Sequence, residues 1–268
     1  NLGARLSEVG RWEEALAAAQ EAAGIYRQLA RANPQAFQPY LAMSLINLGN
    51  VLSELGRWEE ALAATQEAAG IYRQLAQANP QAFRPYLAAS LHNLGRALSA
   101  LGRWEEALAA AQEAAGIYRQ LAQANPQAFR LYLAGSLNNL GNFLSELGRW
   151  EEALTCTQEA VGIYRQLAQA NPQAFLPDLA RSLGAYGRIL LGLDRALEAR
   201  EAFAEGLRAV LPFARTLPAA FGELAAALLA DYLRACGEAG AEPEAGLVEE
   251  AFFSSPLPRP FGPPPPLS

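Results

Sequence analysis

The sequence predicts an all-helical solenoid, because it combines a fixed repeat, helical leucine spacing and regularly placed helix breakers. The heptapeptide Gly-Arg-Trp-Glu-Glu-Ala-Leu begins at Gly10, Gly56, Gly102 and Gly148, each 46 residues after the one before. All four tryptophans of the chain lie in these copies. A constant period of this length is typical of architectures in which one supersecondary unit stacks on the next.

The first helix of each repeat, helix A, is predicted from leucines that share one face. From about Ala82 to Leu101 these leucines recur in alternating steps of four and three residues. Such spacing keeps one side of a helix apolar. Gly102 then breaks the pattern and is expected to end the helix.

The second helix, helix B, is predicted to open at Arg103 or Trp104. Two glutamates follow directly, in the first turn, where acidic side chains complement the positive end of the helix dipole. The helix is expected to stop at Asn125-Pro126, because proline lacks an N–H donor and restricts the residue before it. A turn therefore follows every helix B.

A second proline follows the Asn-Pro turn in three copies, at Pro39, Pro85 and Pro177, and Leu131 replaces it once. We expect this proline to occupy a first helical turn, where its missing N–H costs little. Inside helix A, Gly49 and its equivalents recur although glycine costs about 1 kcal/mol there. Close packing of helix A against helix B is the predicted reason.

The repeats are predicted to fill residues 1–252 as a solenoid of about five and a half units. Weaker copies at Asp194-Arg195 and Gly240 keep the register while the sequence decays, which is typical of a capping end. Residues 253–268 form a proline-rich tail that is predicted to be extended or disordered. We interpret it as a linker, as a ligand for proline-binding modules or as a cover for the last repeat.

Composition excludes several classes of function. The net charge is −6, and all 21 basic residues are arginines without a basic run, which argues against a nucleic-acid binder. His92 is the single histidine, and Cys156 and Cys236 are the two cysteines, so neither a multi-histidine metal site nor a disulfide framework is available. The apolar stretch of residues 217–236 contains three charged residues, so no membrane span is predicted.

No catalytic constellation is recognisable. His92 and Cys156 fall in different repeats, and the paired glutamates recur in every copy as a helix-start signature rather than as a general acid and base. We therefore predict no enzyme activity, cofactor or metal. The few cysteines and the absence of a secretion signal favour the cytoplasm, and richness in alanine, arginine, glycine and proline without lysine favours a bacterial source.

The repeat resembles the tetratricopeptide repeat (TPR) family, over roughly residues 1–252. The family pattern W-x2-L-G-x2-Y is matched around Leu48 and Gly49, and Ala61 and Ala68 match its later alanines. The chain departs from the pattern in its longer period, in Thr65 at the usual phenylalanine position and in Arg73 within helix B. It is similar to long-helix variants such as those of kinesin light chains. The resemblance implies helix-turn-helix units stacked into a right-handed superhelix.

Differences between the copies concentrate on one face of helix A. Between residues 33–78 and 79–124, six of seven differences precede helix B. Met43, Ile46, Asn50 and Glu54 lie within an arc of about 80° on a helical wheel, opposite the leucines. Exposed-looking polar positions of helix B, such as Arg73, do not change in the next copy. Drift of unconstrained exposed positions after duplication is the competing explanation.

In TPR proteins that face lines a concave groove that binds peptides, so the resemblance implies a ligand site there. Recurrent asparagines lie beside the face, and each is expected either to bond to the neighbouring repeat or to contact the ligand. The predicted ligand-binding residues are Met43, Ile46, Asn47, Asn50, His92, Asn93, Arg96, Asn138, Asn139, Asn142, Arg181 and Arg188. Amides and cations favour carboxylates and peptide backbones.

The sequence therefore predicts a non-catalytic protein–protein interaction scaffold. Its groove is expected to bind a peptide or partner segment, preferably acidic or carboxylate-terminated, with charge supplied by Arg96, Arg181 and Arg188. Two alternatives to this scaffold remain open. The first is a self-associating structural module, and the second is a sensor region of a larger multidomain enzyme or signalling protein.

Overall fold

The computed structural model describes residues 11–254, with side chains to residue 252. Every regular element in this range is a helix, and no strand occurs there. The helices are α1 (Trp12–Ala32), α2 (Pro34–Glu54), α3 (Trp58–Ala78), α4 (Pro80–Ala100), α5 (Trp104–Ala124), α6 (Pro126–Glu146), α7 (Trp150–Ala170), α8 (Pro172–Gly192), α9 (Ala196–Thr216), α10 (Pro218–Ala239) and α11 (Ala245–Ser254). The predicted all-helical fold class is confirmed. Even-numbered helices α2 to α10 are the A helices, and odd-numbered helices α1 to α9 are the B helices.

Each junction from helix A to helix B depends on a residue in the left-handed conformation. Gly56 has φ +70°, and the equivalent glycines of the next two copies have φ +71° and +73°. At the first junction, the N–H of Gly56 donates to the Ser53 carbonyl and that of Arg57 donates to the Leu52 carbonyl. These two hydrogen bonds provide donors for carbonyl groups in the last turn of helix A. In the fifth repeat Asp194 occupies the same position, at φ +57°.

An arginine and a glutamate three residues apart hold the start of each helix B. Arg57 donates from Nε and Nη2 to the two carboxylate oxygens of Glu60, at 2.6 and 2.7 Å. Arg103 and Glu106 make the same fork in the next repeat, and the hydrogen bond lowers the pKa of Glu106. The recurrent Gly-Arg-Trp-Glu-Glu sequence is thus explained by its two roles. The glycine ends helix A, and the arginine and the second glutamate pair at the start of helix B.

The junction from helix B to helix A consists of a single residue, an asparagine that follows helix B and is also the N-cap of helix A. Asn33 follows the last residue of α1 and is the N-cap of α2, where its side chain accepts a hydrogen bond from the Ala36 N–H at 3.2 Å. Pro34 takes the first helical position, where no N–H is needed. The predicted break at Asn-Pro is confirmed, but helix A begins at the proline itself.

The position of the second proline was predicted wrongly. Since α2 begins at Pro34, Pro39 is the sixth residue of the helix and lies beyond its first turn. Its missing N–H leaves the carbonyl of Gln35 without the usual helical donor. Leu131 of α6 occupies the equivalent position and restores that donor, which explains why a leucine is tolerated there.

The described chain divides into two units, residues up to Leu147 and residues from Gly148. In the first unit α1 to α6 pack in chain order, each on the next. Helix α4 also contacts both α2 and α6, whereas no two B helices of this unit bring Cα atoms within 8 Å of each other. The A helices of the first unit are therefore closer together than its B helices, and the A side is the inner, concave side of this stack.

In the second unit α7 to α10 also pack in chain order, and α10 contacts α8. The short helix α11 lies against α9 and α10 at the end of this unit. Residues 1–10 and 255–268 lie outside the described residues, and with them the first heptapeptide's Gly10 and most of the predicted tail 253–268. The first two residues of that predicted tail are not extended but belong to helix α11. Within the described part, no helix has the length and apolar character that a membrane span requires.

The glycines inside helix A permit close packing against helix B, as predicted. A Cβ placed on Gly49 would lie 2.7 Å from Thr65 Cγ2 of α3. One placed on Gly187 of α8 would lie 2.6 Å from the Phe203 ring of α9. Phe203 lies four residues after Ala199, so the fifth repeat has a phenylalanine at the position that Thr65 occupies in the second repeat.

Candidate peptide-binding face

The concave side of the first unit presents one stripe of each A helix. In α2 the stripe contains Tyr40, Met43, Asn47, Asn50 and Glu54, which are separated by alternating steps of three and four. That spacing places them on one side of the helix, away from the buried leucines of the same helix. We call the corresponding stripes of α2, α4 and α6 the A-face.

Exposure separates the predicted residues on the A-face and along its edge into two groups. The exposed group consists of Met43, Asn50, Arg96 and Asn142. The half-buried group, which lies toward neighbouring A helices, consists of Asn47, His92, Asn93, Asn138 and Asn139. The structure brings ten of the twelve predicted residues to helices of the first unit. The other two, Arg181 and Arg188, belong to the second unit.

Ile46 departs from the expectation of an exposed face. It is only 8% exposed and belongs to the apolar core, whereas Met43 in the same helix is 39% exposed. On the helical wheel Ile46 lies at the edge of the arc nearest the packed side. Its equivalents His92 and Asn138 are half-buried, so this row forms the boundary between the A-face and the core.

His92 and Asn139 connect two neighbouring A helices. The Asn139 Nδ2 of α6 lies 3.3 Å from His92 Nε2 and 3.4 Å from His92 Nδ1 of α4. The amide can donate to the ring nitrogen that carries no proton. Burial, and then the charge of Arg96, lowers the pKa of His92 to about 4, so the ring is neutral near pH 7. The predicted alternative of a bond to the neighbouring repeat thus applies to Asn139.

The other two recurrent asparagines are available to a ligand. The side-chain amides of Asn47 and Asn93 make no hydrogen bond to any of the described residues. Each offers one carbonyl oxygen and two N–H donors at the edge of the A-face. An extended peptide presents the complementary backbone groups along its length.

Arg96 is the cation of the A-face in the first unit. It is exposed and makes no ion pair with any described residue. Glu54 and Glu146 lie four residues after Asn50 and Asn142, but the corresponding position after Arg96 is Ala100. The middle repeat therefore carries the positive charge without a neighbouring acid on its own helix, and the flanking repeats carry acids.

The two predicted cations of the second unit are neutralised by acids. Arg188 of α8 donates to Asp231 of α10 at 3.0 Å, and Arg181 donates to Asp178 at 2.5 Å. The sequence prediction that both arginines supply charge to a ligand did not consider these acidic neighbours. Asp178 lies three residues before Arg181 on the same face of α8, so that pair was visible in the sequence.

The B helices explain why their exposed polar residues do not vary. Arg27 of α1 donates to Glu67 of α3 at 2.6 Å, and Arg73 of α3 donates to Glu113 of α5 at 2.7 Å. Arg165 and Glu205 form the equivalent pair in the second unit. Each pair joins consecutive repeats through the same two positions. Constancy on the B side thus follows from repeated pairing, whereas the charges of the A-face, Arg96, Glu54 and Glu146, are unpaired among residues 11–252.

A row of tyrosines on the A-face was missed in the sequence. Tyr40, Tyr86 and Tyr132 are 57%, 42% and 54% exposed, and each begins the stripe of its helix. They recur at the 46-residue period, at a position of the stripe where an exposed residue is expected. A large aromatic residue repeated at such a position was the signal that could have identified them. Periodicity alone does not separate an exposed tyrosine from a core tyrosine.

Comparison with known sequences identifies the repeat. Two models of the tetratricopeptide repeat match this chain, one over residues 41–120 and 132–211 and the other over residues 1–32. The chain belongs to the tetratricopeptide repeat family. Members of this family are generally scaffolds for protein–protein interaction rather than catalysts. The search of curated proteins finds no match to this TPR sequence.

Solved structures resemble the fold of this TPR protein. The crystal structure of BtubC (BKLC) from P. vanneervenii has 18% sequence identity and a TM-score of 0.64, and the match covers 96% of each chain. A putative kinesin light chain from Podosopora anserina, with nearly identical TPR-like repeats, has 18% identity and a TM-score of 0.60. That match covers 78% of this chain and 91% of the other. At these identities the likeness shows the fold alone.

Proposed function

We propose that the first unit binds an extended segment of a partner protein along its A-face. The observation that carries the proposal is the contrast between the two sides of the stack. Exposed arginines of the B side recur unchanged and pair across repeats, whereas the A-face varies between repeats and keeps Arg96 unpaired among the described residues. Variation on the concave side is expected if each repeat contacts a different residue of one ligand.

The charges of the A-face favour one position for an acidic group of the ligand. Arg96 can form a bidentate pair with a carboxylate. Glu54 and Glu146 would repel the same group in the flanking repeats. We therefore expect one aspartate, glutamate or C-terminal carboxylate near the centre of the bound segment, with neutral residues on both sides of it.

The half-buried amides complete the proposed site. Asn47 and Asn93 have unused donors and acceptors that suit the backbone of an extended ligand. Met43 supplies an exposed, flexible apolar contact at the second repeat. We place this interaction in the cytoplasm, since Cys156 and Cys236 form no disulfide, as a reducing compartment favours.

A peptide library displayed on phage tests the proposal with two matched variants. The full chain should select peptides that share one acidic residue, and Arg96→Ala should weaken their binding about tenfold, as expected for the loss of a charge-assisted contact. Arg73→Ala removes an arginine of similar exposure from the B side and should leave the affinity unchanged. Isothermal titration calorimetry at two salt concentrations gives the dissociation constants.

Two results would contradict the proposed function. The first is selection of no peptide by the full chain. The second is an equal loss of affinity in Arg96→Ala and Arg73→Ala, because a non-specific charge effect would not distinguish the concave side from the B side. Helical content measured by circular dichroism checks that both variants retain the fold.

A further inference from the structure

Three exposed tyrosines form a ladder across the first unit, and each is supported by a second tyrosine beneath it. Tyr40 stacks on Tyr26 with ring centroids 5.7 Å apart, and Tyr86 stacks on Tyr72 at 5.5 Å. Tyr132 stacks on Tyr118 at 5.6 Å, and all three pairs have interplanar angles of 15°. We call Tyr40, Tyr86 and Tyr132 the tyrosine ladder.

The supporting rings hold the ladder in a fixed orientation. Tyr72 and Tyr118 are 1% and 4% exposed, so they are anchored in the core between helices. The Tyr72 hydroxyl also donates to the Pro39 carbonyl at 3.3 Å. Tyr86 and Tyr132 are therefore rigid apolar surfaces with a hydroxyl group, which bind at a low entropic cost. Tyr40 stacks on Tyr26, which is half-buried.

The spacing of the ladder suits a polyproline II helix. The tyrosines lie on successive A helices that contact one another, and packed helices are about 8–10 Å apart. Three residues of polyproline II span about 9 Å, one full turn. One face of such a ligand would thus present a residue to each tyrosine in turn. Aromatic grooves recognise proline-rich segments in this way, and the free carbonyls of the ligand accept hydrogen bonds from tyrosine hydroxyls.

The chain itself contains a segment with this spacing. In residues 255–268, Pro260, Pro263 and Pro266 recur at every third residue, so they would share one face if the segment adopted a polyproline II helix. The segment from Pro256 to Pro266 would be about 30 Å long in that conformation, enough to pass three tyrosines about 10 Å apart. The segment carries one charged side chain, Arg259, so its recognition must depend mainly on shape and apolar contact.

We infer that the tyrosine ladder binds the proline-rich segment 255–268 of a second copy of this chain. The inference goes beyond the proposed function, because segment 255–268 has no acidic side chain for Arg96 and would be held by the tyrosines instead. Each copy has one ladder and one segment, so two copies can exchange segments reciprocally and form a closed dimer. Two linked weak contacts give a much higher avidity than either contact alone.

Light scattering on the full chain tests the inference. Between about 10 µM and about 1 mM, a range that covers weak contacts, the mass should rise from 28.7 kDa toward twice that value. A ladder variant with Tyr40→Ala, Tyr86→Ala and Tyr132→Ala should remain monomeric. A segment variant with Pro260→Ala, Pro263→Ala and Pro266→Ala should remain monomeric too, and it changes no residue of the described helices.

Mixing the two variants provides the decisive measurement. The ladder variant keeps an intact segment and the segment variant keeps an intact ladder, so the mixture should regain one contact. It should form a heterodimer that is weaker than the wild-type dimer and is detected toward about 1 mM. Two results overturn the inference, namely a monomeric wild-type chain over the whole range and a mixture that stays monomeric. Docking of the segment on its own chain would give the first result.

Failure of this inference is distinguishable from failure of the proposed function. If phage peptides bind in an Arg96-dependent manner while the wild-type chain stays monomeric, the proposed function stands and the inference is wrong. Arg73→Ala in the scattering experiment should leave dimerisation unchanged, because Arg73 lies on the B side and pairs with Glu113 there. A loss of dimerisation in that variant contradicts the assignment of the contact to the tyrosines.

Discussion

Asn139 of α6 lies 3.3 Å from His92 of α4, and this contact joins two A helices whose sequence positions differ by 47 residues. It occurs where the A-face meets the core. The contact involves the single histidine of the chain and one of the recurrent asparagines. The second repeat has Ile46 at the position of His92, so it cannot make this contact with its neighbour.

Acid should destabilise the chain partly through His92. Its pKa of about 4 in the folded state is below the ordinary 6.5, so the folded state binds the proton less readily than the unfolded chain. The free energy of unfolding should fall as pH drops from about 6.5 to about 4, and His92 should contribute about 2.5 kcal/mol of that fall.

His92→Asn, which copies the residue at Asn138, is the matched variant for this prediction. Urea unfolding followed by tryptophan fluorescence at pH 7 and pH 4 gives the two free energies for each protein. The wild type should lose more stability than the variant between these pH values. An equal loss in both proteins means that the carboxylates alone cause the acid sensitivity.

Gly49→Ala should destabilise the chain by about 1–3 kcal/mol, because the added Cβ would lie 2.7 Å from Thr65 Cγ2. Thr65 is 1% exposed and its hydroxyl donates to the Ala61 carbonyl at 2.8 Å, so it cannot easily move away. Gly70→Ala in α3 is the control, since nothing lies within 4 Å of a Cβ there. That change should stabilise by about 0.5–1 kcal/mol.

Thr65→Ala should rescue Gly49→Ala, because it removes the clashing methyl group and copies Ala111 of the next repeat. Thermal unfolding of the two single variants and the double variant measures the coupling. Additive effects would show that the clash at Thr65 is not the cause of the instability.

The asparagine caps should be transferable between repeats. Asn125 accepts a hydrogen bond from the Ala128 N–H at 3.2 Å, and Asn125→Leu should cost about 1 kcal/mol. Leu217 occupies the equivalent position before α10, is 56% exposed and provides no side-chain cap. Leu217→Asn should stabilise by a similar amount, as measured by denaturant unfolding. The opposite sign at either position would contradict a capping role.

The ion pairs between B helices should contribute little energy. Arg73 and Glu113 are 47% and 41% exposed, so a double-mutant cycle should give a coupling of about 0.5 kcal/mol. The coupling should decrease at 1 M salt, where exposed charges are screened. A coupling that persists at high salt would indicate a desolvated pair, in disagreement with this exposure.

Several features of the fold follow from residues close together in the chain. Gly56 and its equivalents mark the ends of three A helices, because the junction needs a positive φ that glycine adopts freely. Asn33 and Pro34 mark the change from helix B to helix A through a cap and a first-turn proline. These interactions span a few residues, so the sequence pattern was sufficient to predict them.

The candidate site was predictable only in part. Helical spacing placed Met43, Asn50 and Arg96 on one face, but it gave the buried Ile46 the same weight. Spacing along one helix does not specify where the next helix packs, and the edge of a face is decided by that neighbour. The acid that pairs with Arg188 comes from Asp231, 43 residues later, so their contact depends on how α8 and α10 pack.

By itself, the sequence determined the helix pairs, their 46-residue period and the side of helix A that varies, since each depends on spacing and on local backbone preference. The tertiary structure alone decided which arginines are paired, which A helices touch and which tyrosines remain exposed. Those properties depend on distances between residues of different helices, which are set by how the side chains of neighbouring repeats fill the space between them.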